Sequence, residues 1–241
     1  MKYSHSILAT LLLSIAVGRA EEKQGIVIPF KTVSVSSPVL QEVIDSVLVD
    51  EGDEVREGQP LVQLRAEREA LEVERTQKLI ELATFKSDGA QALFKEKMGS
   101  KEKWLEEQAQ LQLSKILHRA AANMLKEKTV LAPLAGVVVK KHKEAGESVD
   151  RAEKLIEIVN LDQVYVQFYL DPVLMQATKE GQEVKVKFPV INNTELTGKI
   201  TFVDPRIDAG SGLFRVKVLI ENKDRVVKAG MRAMADFGKA K

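Results

Sequence analysis

The chain contains no cysteine. That excludes disulfides, thiolate metal sites, a thiol nucleophile and a lipid-carrying N-terminal cysteine. It has almost no net charge, with 36 Lys and Arg against 35 Asp and Glu. No basic run is interleaved with aromatics, so the footprint of a nucleic-acid binder is absent. Aromatic residues make up only 5% of the chain, and there are three histidines. His5 lies in the N-terminal leader, His118 reads as a solvated helix residue, and His142 lies on a strand beside lysines. No HExxH-type spacing or nucleophile–base set is visible. The sequence therefore predicts no catalytic residue, no bound cofactor and no metal site.

The N-terminal apolar run, residues 7–17, is too short for a comfortable membrane span. It follows Lys2 and precedes Gly18 and Ala20, small residues at minus three and minus one of a cut after Ala20. Residues 1–20 are expected to be a secretory signal, leaving a mature chain in an exported compartment. Hydrophobic content of 44% is enough for a folded core.

An internal repeat organises the first part of the mature chain. "VIDSVLVDEGDEVREGQPLVQL" (43–64) aligns without a gap on "VVVKKHKEAGESVDRAEKLIEI" (137–158). Gly52 falls on Gly146, Val55 on Val149, Leu61 on Leu155, Val62 on Ile156 and Leu64 on Ile158. Upstream, "SPVLQEV" (37–43) parallels "APLAGVV" (132–138) with a one-residue slip, and Gly136 has no glycine counterpart. Each copy reads strand, glycine turn, strand, with Gly52, Gly58, Gly136, Gly146 and, further on, Gly230 expected as structural turns. Neither copy can bury a core alone, but two can form a sandwich of two four-stranded sheets. The pattern resembles the lipoyl/biotinyl domain. In carriers of that family a modified Lys sits in the tight turn between the halves, a turn that residues 65–128 replace here.

Residues 65–128 contain no proline and are rich in strong helix formers. Ala66, Ala70, Val73, Gln77 and Ile80, and Leu113, Leu117, Ala120 and Met124, recur at spacings of three and four. They read as the seams of an antiparallel two-helix coiled coil. "SDG" (87–89) reads as a kink or local break. The chain is expected to reverse near Lys97, with Gly99 as helix stop and Ser100 as N-cap. Trp104 is expected to pack across the two arms.

From residue 161 the alternation becomes strand-like, in "VYVQFYL" (164–170), "EVKVKFPV" (183–190), "GKITFVD" (198–204) and "FRVKVLI" (214–220). "DPVLMQATKEG" from Asp171 reads as one short helix, and residues 26–36 as an early strand. The fold expected is mainly β with an inserted α-helical hairpin. Its parts are a signal (1–20), an N-terminal strand segment (21–36), a lipoyl-like half (37–64), the hairpin (65–128), a second half (129–160) and a small β-barrel (161–241).

This order resembles the membrane fusion protein family, the HlyD-like and RND-type periplasmic adaptor subunits. "LAPLAGVVVKKHKEAGESVDRAEKLIEIVNLDQVYVQFYLDP" from Leu131 resembles the family's second lipoyl half running into its barrel. "GKITFVDPRIDAGSGLFRVKVLIEN" resembles the barrel segment, with Asp204, Pro205, Asp208, Ser211 and Arg215 in matching places, and "VVKAGMRAMADF" resembles the closing strand. Family hairpins carry a tip motif of Arg, then Leu, then Ser. Leu93 and Ser100 match its last two positions, while Asp88 stands at the first, so the match is partial.

The resemblance implies an adaptor linking an inner-membrane transporter, RND favoured over ABC, to an outer-membrane TolC-like channel. It implies a homo-oligomer, typically of six copies, in the periplasm, with no nucleic acid and no cofactor. It places partner binding at the tip, on Leu93, Phe94, Lys97, Gly99 and Ser100, with Leu93 and Phe94 exposed for docking. Read to its last residue, the sequence ends with the barrel, which is then expected to face the transporter. The alternative is an exported β-module serving as a carrier or binding domain.

Overall fold

A computed structural model describes residues 22–238; the expected signal and its cut after Ala20 lie outside them. The chain is mainly β, with two helices inserted between strands. It divides into two units. One contains Pro29–Gln163 with Lys223–Arg225; the other contains Val164–Asn222 with the chain up to Ile28 and from Val226.

The first unit is a sandwich carrying the hairpin. One sheet runs β5 (Thr129–Leu131), β4 (Pro60–Leu64), β2 (Glu42–Val47), β7 (Ser148–Val149). The other runs β3 (Glu54–Val55), β6 (Gly136–Lys141), β8 (Lys154–Leu170), with β1 (Lys23–Ser36) beside β8. The repeat is visible bond by bond. Gly52 N–H donates to Val138 O and Gly146 N–H to Ile44 O, both at 2.8 Å. Leu48 N–H donates to Leu61 O and His142 N–H to Leu155 O, again both at 2.8 Å. Each half lends its two-residue strand to the other, since β3 pairs with β6 and β7 with β2. This exchange is why neither half stands alone. The matched residues Val55 and Val149, Leu61 and Leu155, and Leu64 and Ile158 all lie in one buried core.

The slip in the alignment has a local cause. Ser37 N–H donates to Glu153 O and Ala132 N–H to Gln59 O in equivalent places. The additional residue of the first copy is Gln41, which takes a left-handed φ of 51°. Only Gly136 stands at this point in the second copy. Gly136 is not a turn residue, as expected from sequence, but the first residue of β6. Its glycine is required by space, because a Cβ there would lie 2.4 Å from Val159 O. Gly52, Gly146 and Gly230 do occupy turns at positive φ. Gly58 (φ 78°) and its repeat partner Ala152 (φ 66°) share one left-handed position, which costs an alanine strain that a glycine escapes.

The second unit is a closed six-stranded barrel. Its order is β1, β12 (Arg232–Ala235), β9 (Glu183–Phe188), β10 (Thr194–Ile207), β11 (Phe214–Glu221), β8, and β8 returns to β1. Closure removes exposed strand edges. Alternation along β11 buries Phe214, Val216, Val218 and Ile220 and turns Arg215 and Lys217 outward. Phe168 meets Phe237 edge to face at 5.0 Å inside the barrel. The helix expected after Asp171 is a single 3-10 turn, Pro172–Leu174, started by the Asp171 carboxylate accepting from Val173 N–H at 2.9 Å.

Candidate functional site

The hairpin consists of α1 (Glu67–Lys95) and α2 (Lys101–Glu127), at the place where a carrier would have its lysine turn. Helix α1 runs unbroken through residues 87–89, so the expected break is absent. Ser87 is buried there. Packing against α2 outweighs the weak helix propensity of Asp88 and Gly89.

The seams differ from the expected ones. On α1, Thr76, Ala83 and Ser87 are buried, and Val73, Ile80, Ala90 and Phe94 are half-buried along the same stripe, at steps of three and four. On α2, Leu111, Ser114 and Ala121 are buried, and Trp104, Glu107, His118 and Leu125 are half-buried along the stripe they form. Ala66, Val73 and Ile80 keep their expected place, whereas Ala70, Gln77, Leu113, Leu117, Ala120 and Met124 are exposed. His118 is half-buried rather than freely solvated: its Nδ1 lies 3.1 Å from Thr76 Oγ1 across the seam. The seam is thus made mainly of small and polar side chains, which let the helices approach closely. Leu111 is buried with them, and Val73, Ile80, Phe94, Trp104 and Leu125 are half-buried, but most of the other large apolar residues face outward. Leu71 (66% exposed), Leu82 (51%) and Leu93 (48%) follow one another at three-turn intervals on α1, with Phe85 (79%) beside them. Leu113, Leu117 and Met124 form a second outward stripe on α2. The Thr76–His118 contact sets the register, which brings Leu82 nearly level with Leu113 and Leu71 with Met124.

At the tip, the residue that ends α1 is Lys97, at φ 60°, and not Gly99. Leu93 O accepts from both Met98 N–H (2.8 Å) and Gly99 N–H (3.0 Å), satisfying a carbonyl that the helix end would leave open. Gly99 is instead favoured by space, since a Cβ there would sit 3.0 Å from Leu93 Cβ. Ser100 is the N-cap of α2 and accepts from Lys103 N–H at 3.1 Å. Phe94 is not exposed as expected, because its ring stacks on Trp104 at 5.5 Å and 14°. This stack joins the arms. Leu93, Lys97 and Ser100 remain at the surface, and so does Met98, which the sequence did not single out. A shallow groove beside the tip is lined by Phe85, Gly89, Leu93, Gly99 and Lys103.

In the barrel, the motif residues after β10 hold a turn. Asp204 is buried and accepts from Arg206 Nε and Arg215 Nη2, each at 3.1 Å. Hydrogen bonding from Arg206, with the charge of Arg215, holds its carboxyl below the usual range. Asp208 accepts from Ser211 N–H and Oγ–H, each at 2.8 Å, and these bonds lower its pKa. The Asp204–Arg215 pair ties β10 to β11 ahead of their turn. Among the described residues no three His, Cys, Asp or Glu side chains are grouped to hold a metal. No described helix is long and apolar enough to cross a membrane.

Comparison with known proteins agrees with this architecture. The CzcB-like barrel-sandwich hybrid domain matches residues 31–160, and the CusB-like beta-barrel domain matches residues 163–241. The cation efflux system protein CzcB of Alcaligenes sp. (strain CT14) is 22% identical over 217 residues, covering 83% of this chain and 42% of that protein. Nodulation protein NolF of Rhizobium meliloti (strain 1021) is 23% identical over 227 residues, covering 88% of this chain and 62% of that one. The chain therefore spans less than two thirds of the length of either relative. A MacA–MexA chimera containing the Pseudomonas aeruginosa MexA α-hairpin domain superposes with a TM-score of 0.79 at 19% identity, over 90% of this chain and 81% of the other. The chain belongs to the membrane fusion protein family, in its CzcB-like barrel-sandwich hybrid group.

Proposed function

We propose that the protein is a periplasmic adaptor, linking an inner-membrane transporter to an outer-membrane channel in a tripartite efflux or secretion system. The observation that carries this reading is the hairpin. Its internal seam is rich in small and polar side chains, and most of its large apolar side chains face outward, many of them in two stripes. A helix pair built for solvent alone would bury those residues. Leu82 and Leu113, nearly level on opposite helices, suit a side-by-side ring in which α1 of one copy meets α2 of the next. Six copies are the expected number.

The tip residues Leu93, Lys97, Met98 and Ser100 are then the surface offered to a TolC-like channel. The barrel is the part offered to the transporter, and its CusB-like match favours an RND pump over an ABC transporter. The protein supplies structure and contact, not catalysis. The test is an affinity purification of the tagged full chain from mildly crosslinked, detergent-solubilised envelopes of its own host. Mass spectrometry is expected to recover a large inner-membrane transporter and an outer-membrane channel. Recovery of soluble exported proteins alone would refute the adaptor reading.

A further inference from the structure

The hairpin joins the sandwich without a linker. Only Arg65 and Ala66 separate β4 from α1, and only Lys128 separates α2 from β5. Ala66 gives α1 no side-chain cap. In its place stands a charged cluster. Lys128 is 5% exposed. Its Nζ pairs with Glu42 on β2, and at 3.1 Å with Glu69 in the first turn of α1. One ammonium therefore binds a strand of the sandwich and both helices of the hairpin together.

The backbone around it is equally fixed. Lys128 O accepts from Leu64 N–H at 2.8 Å and from Gln63 Nε2 at 3.3 Å. Gln63 Oε1 accepts from the Thr129 hydroxyl at 2.8 Å, and Arg65 N–H donates to Val43 O at 2.9 Å. A buried ion pair adds little net stability over an apolar contact of equal size, yet losing one partner is costly because the other charge is stranded. What such a cluster adds here is a demand for one geometry. The demand matters because α1, with 29 residues, is a lever about 44 Å long. A tilt of about 10° at its root would move the tip by about 8 Å.

We infer that Lys128, with Glu42 and Glu69, is a latch that sets the angle at which the hairpin stands on the sandwich. Opening the latch lets the hairpin swing as a rigid arm. The relevance to docking rests on the adaptor reading; the latch itself does not. Lys128 faces Glu42 and Glu69, and Glu42 faces Lys128 and Arg65. Burial would raise the Glu42 carboxyl, but the hydrogen bonds of Lys128 and Val43 N–H and the charges of Lys128 and Arg65 outweigh it and hold the pKa down. Burial would lower Lys128, and its two carboxylates outweigh that and hold the pKa up. The latch is thus closed at neutral pH. Its Glu42 arm is complete above the ordinary pKa of 4.5 and opens as pH falls through the depressed value. Its Lys128 arm is complete below 10.5 and opens only as pH rises through the raised value.

The absence of cysteine makes the test clean, since two introduced thiols are the only sites that spin labels can take. The full chain carries Lys97→Cys at the tip and Glu57→Cys on an exposed turn of the sandwich, and pulsed electron resonance reads their distance. A narrow distribution is expected at neutral pH. Lys128→Met should widen it by several ångström, toward the roughly 8 Å of a 10° swing, and Lys128→Arg should restore it. Acid should widen the parent and leave Lys128→Met unmoved.

A second pair, Lys78→Cys with Lys115→Cys, reports the hairpin's own integrity and should stay narrow throughout. If Lys128→Met does not fold, Glu42→Gln with Glu69→Gln removes the charges at constant size and should widen the first pair alike. An unchanged first distance in the folded variants overturns the latch. No transporter takes part in the measurement, so its failure is separate from a failed recovery of the transporter.

Discussion

The sandwich and the hairpin use the same apolar residue types in opposite ways. In the sandwich, Leu61, Leu64, Leu155 and Ile158 are fully buried and cross-paired strands enclose them. In the hairpin, Thr76, Ser87, Ala83, Ser114 and Ala121 are buried beside a single buried leucine, Leu111, while Leu82, Phe85, Leu113 and Leu117 face outward. The first arrangement is finished within one chain. The second leaves most of its large apolar side chains uncovered within the chain. One protein thus holds a base that buries its own apolar core and an arm that leaves much of its apolar surface open, as the proposed adaptor role requires.

Truncating one leucine in each region should show the contrast most strongly. Leu61→Ala should cost the isolated protein about 2–5 kcal/mol in urea unfolding, the range for a fully buried leucine. Leu117→Ala should stay within about 0.5 kcal/mol, as surface changes do. Equal losses would erase the distinction between base and arm.

Two glycines extend the contrast to smaller effects. Gly136→Ala forces a Cβ against Val159 O in the sandwich and should cost about 1–3 kcal/mol in the same assay. Gly89→Ala meets open space on a helix and should gain about 0.5–1 kcal/mol. At the tip, Ser100→Ala removes the N-cap of α2 and should cost about 1 kcal/mol, read by thermal unfolding of the helical signal. An effect of similar size lies in the repeat itself. Ala152→Gly should gain up to about 1 kcal/mol in chemical denaturation, and Gly58→Ala lose a similar amount, because both positions hold one left-handed turn.

The same contrast explains what the sequence disclosed. The sandwich was legible because its repeat is ungapped and its hydrophobic positions face inward in both copies. Even the slip was visible, and it resolves into Gln41 against Gly136. The barrel was legible from strict alternation, as along β11. The hairpin was legible as an object but not in its rotation. Period alone cannot say which of two stripes is the seam: on α1 the expected stripe kept Val73 and Ile80 but not Ala70 or Gln77, and on α2 leucine content pointed to the outward stripe. Polar seam residues such as Thr76 and His118 carried the correct phase, at steps of three and four. Lys97 was missed as the helix end because a lysine at positive φ has no sequence signal, whereas Gly99 nearby has a strong one. Phe94 and Trp104 lie on different helices, so their stack depended on the tertiary register. The cluster at Lys128 joins residues far apart in sequence and left no local mark.

If the hairpin is an arm that other chains complete, its outward stripes are covered by neighbouring copies in the assembled state. The decisive experiment places a photoreactive phenylalanine analogue at Phe85, and separately at Leu117, in the full chain within its native envelope. Covalent adducts between two copies of this chain are expected from both positions. Adducts from neither, with both positions open to a solvent-borne label in the cell, would contradict it.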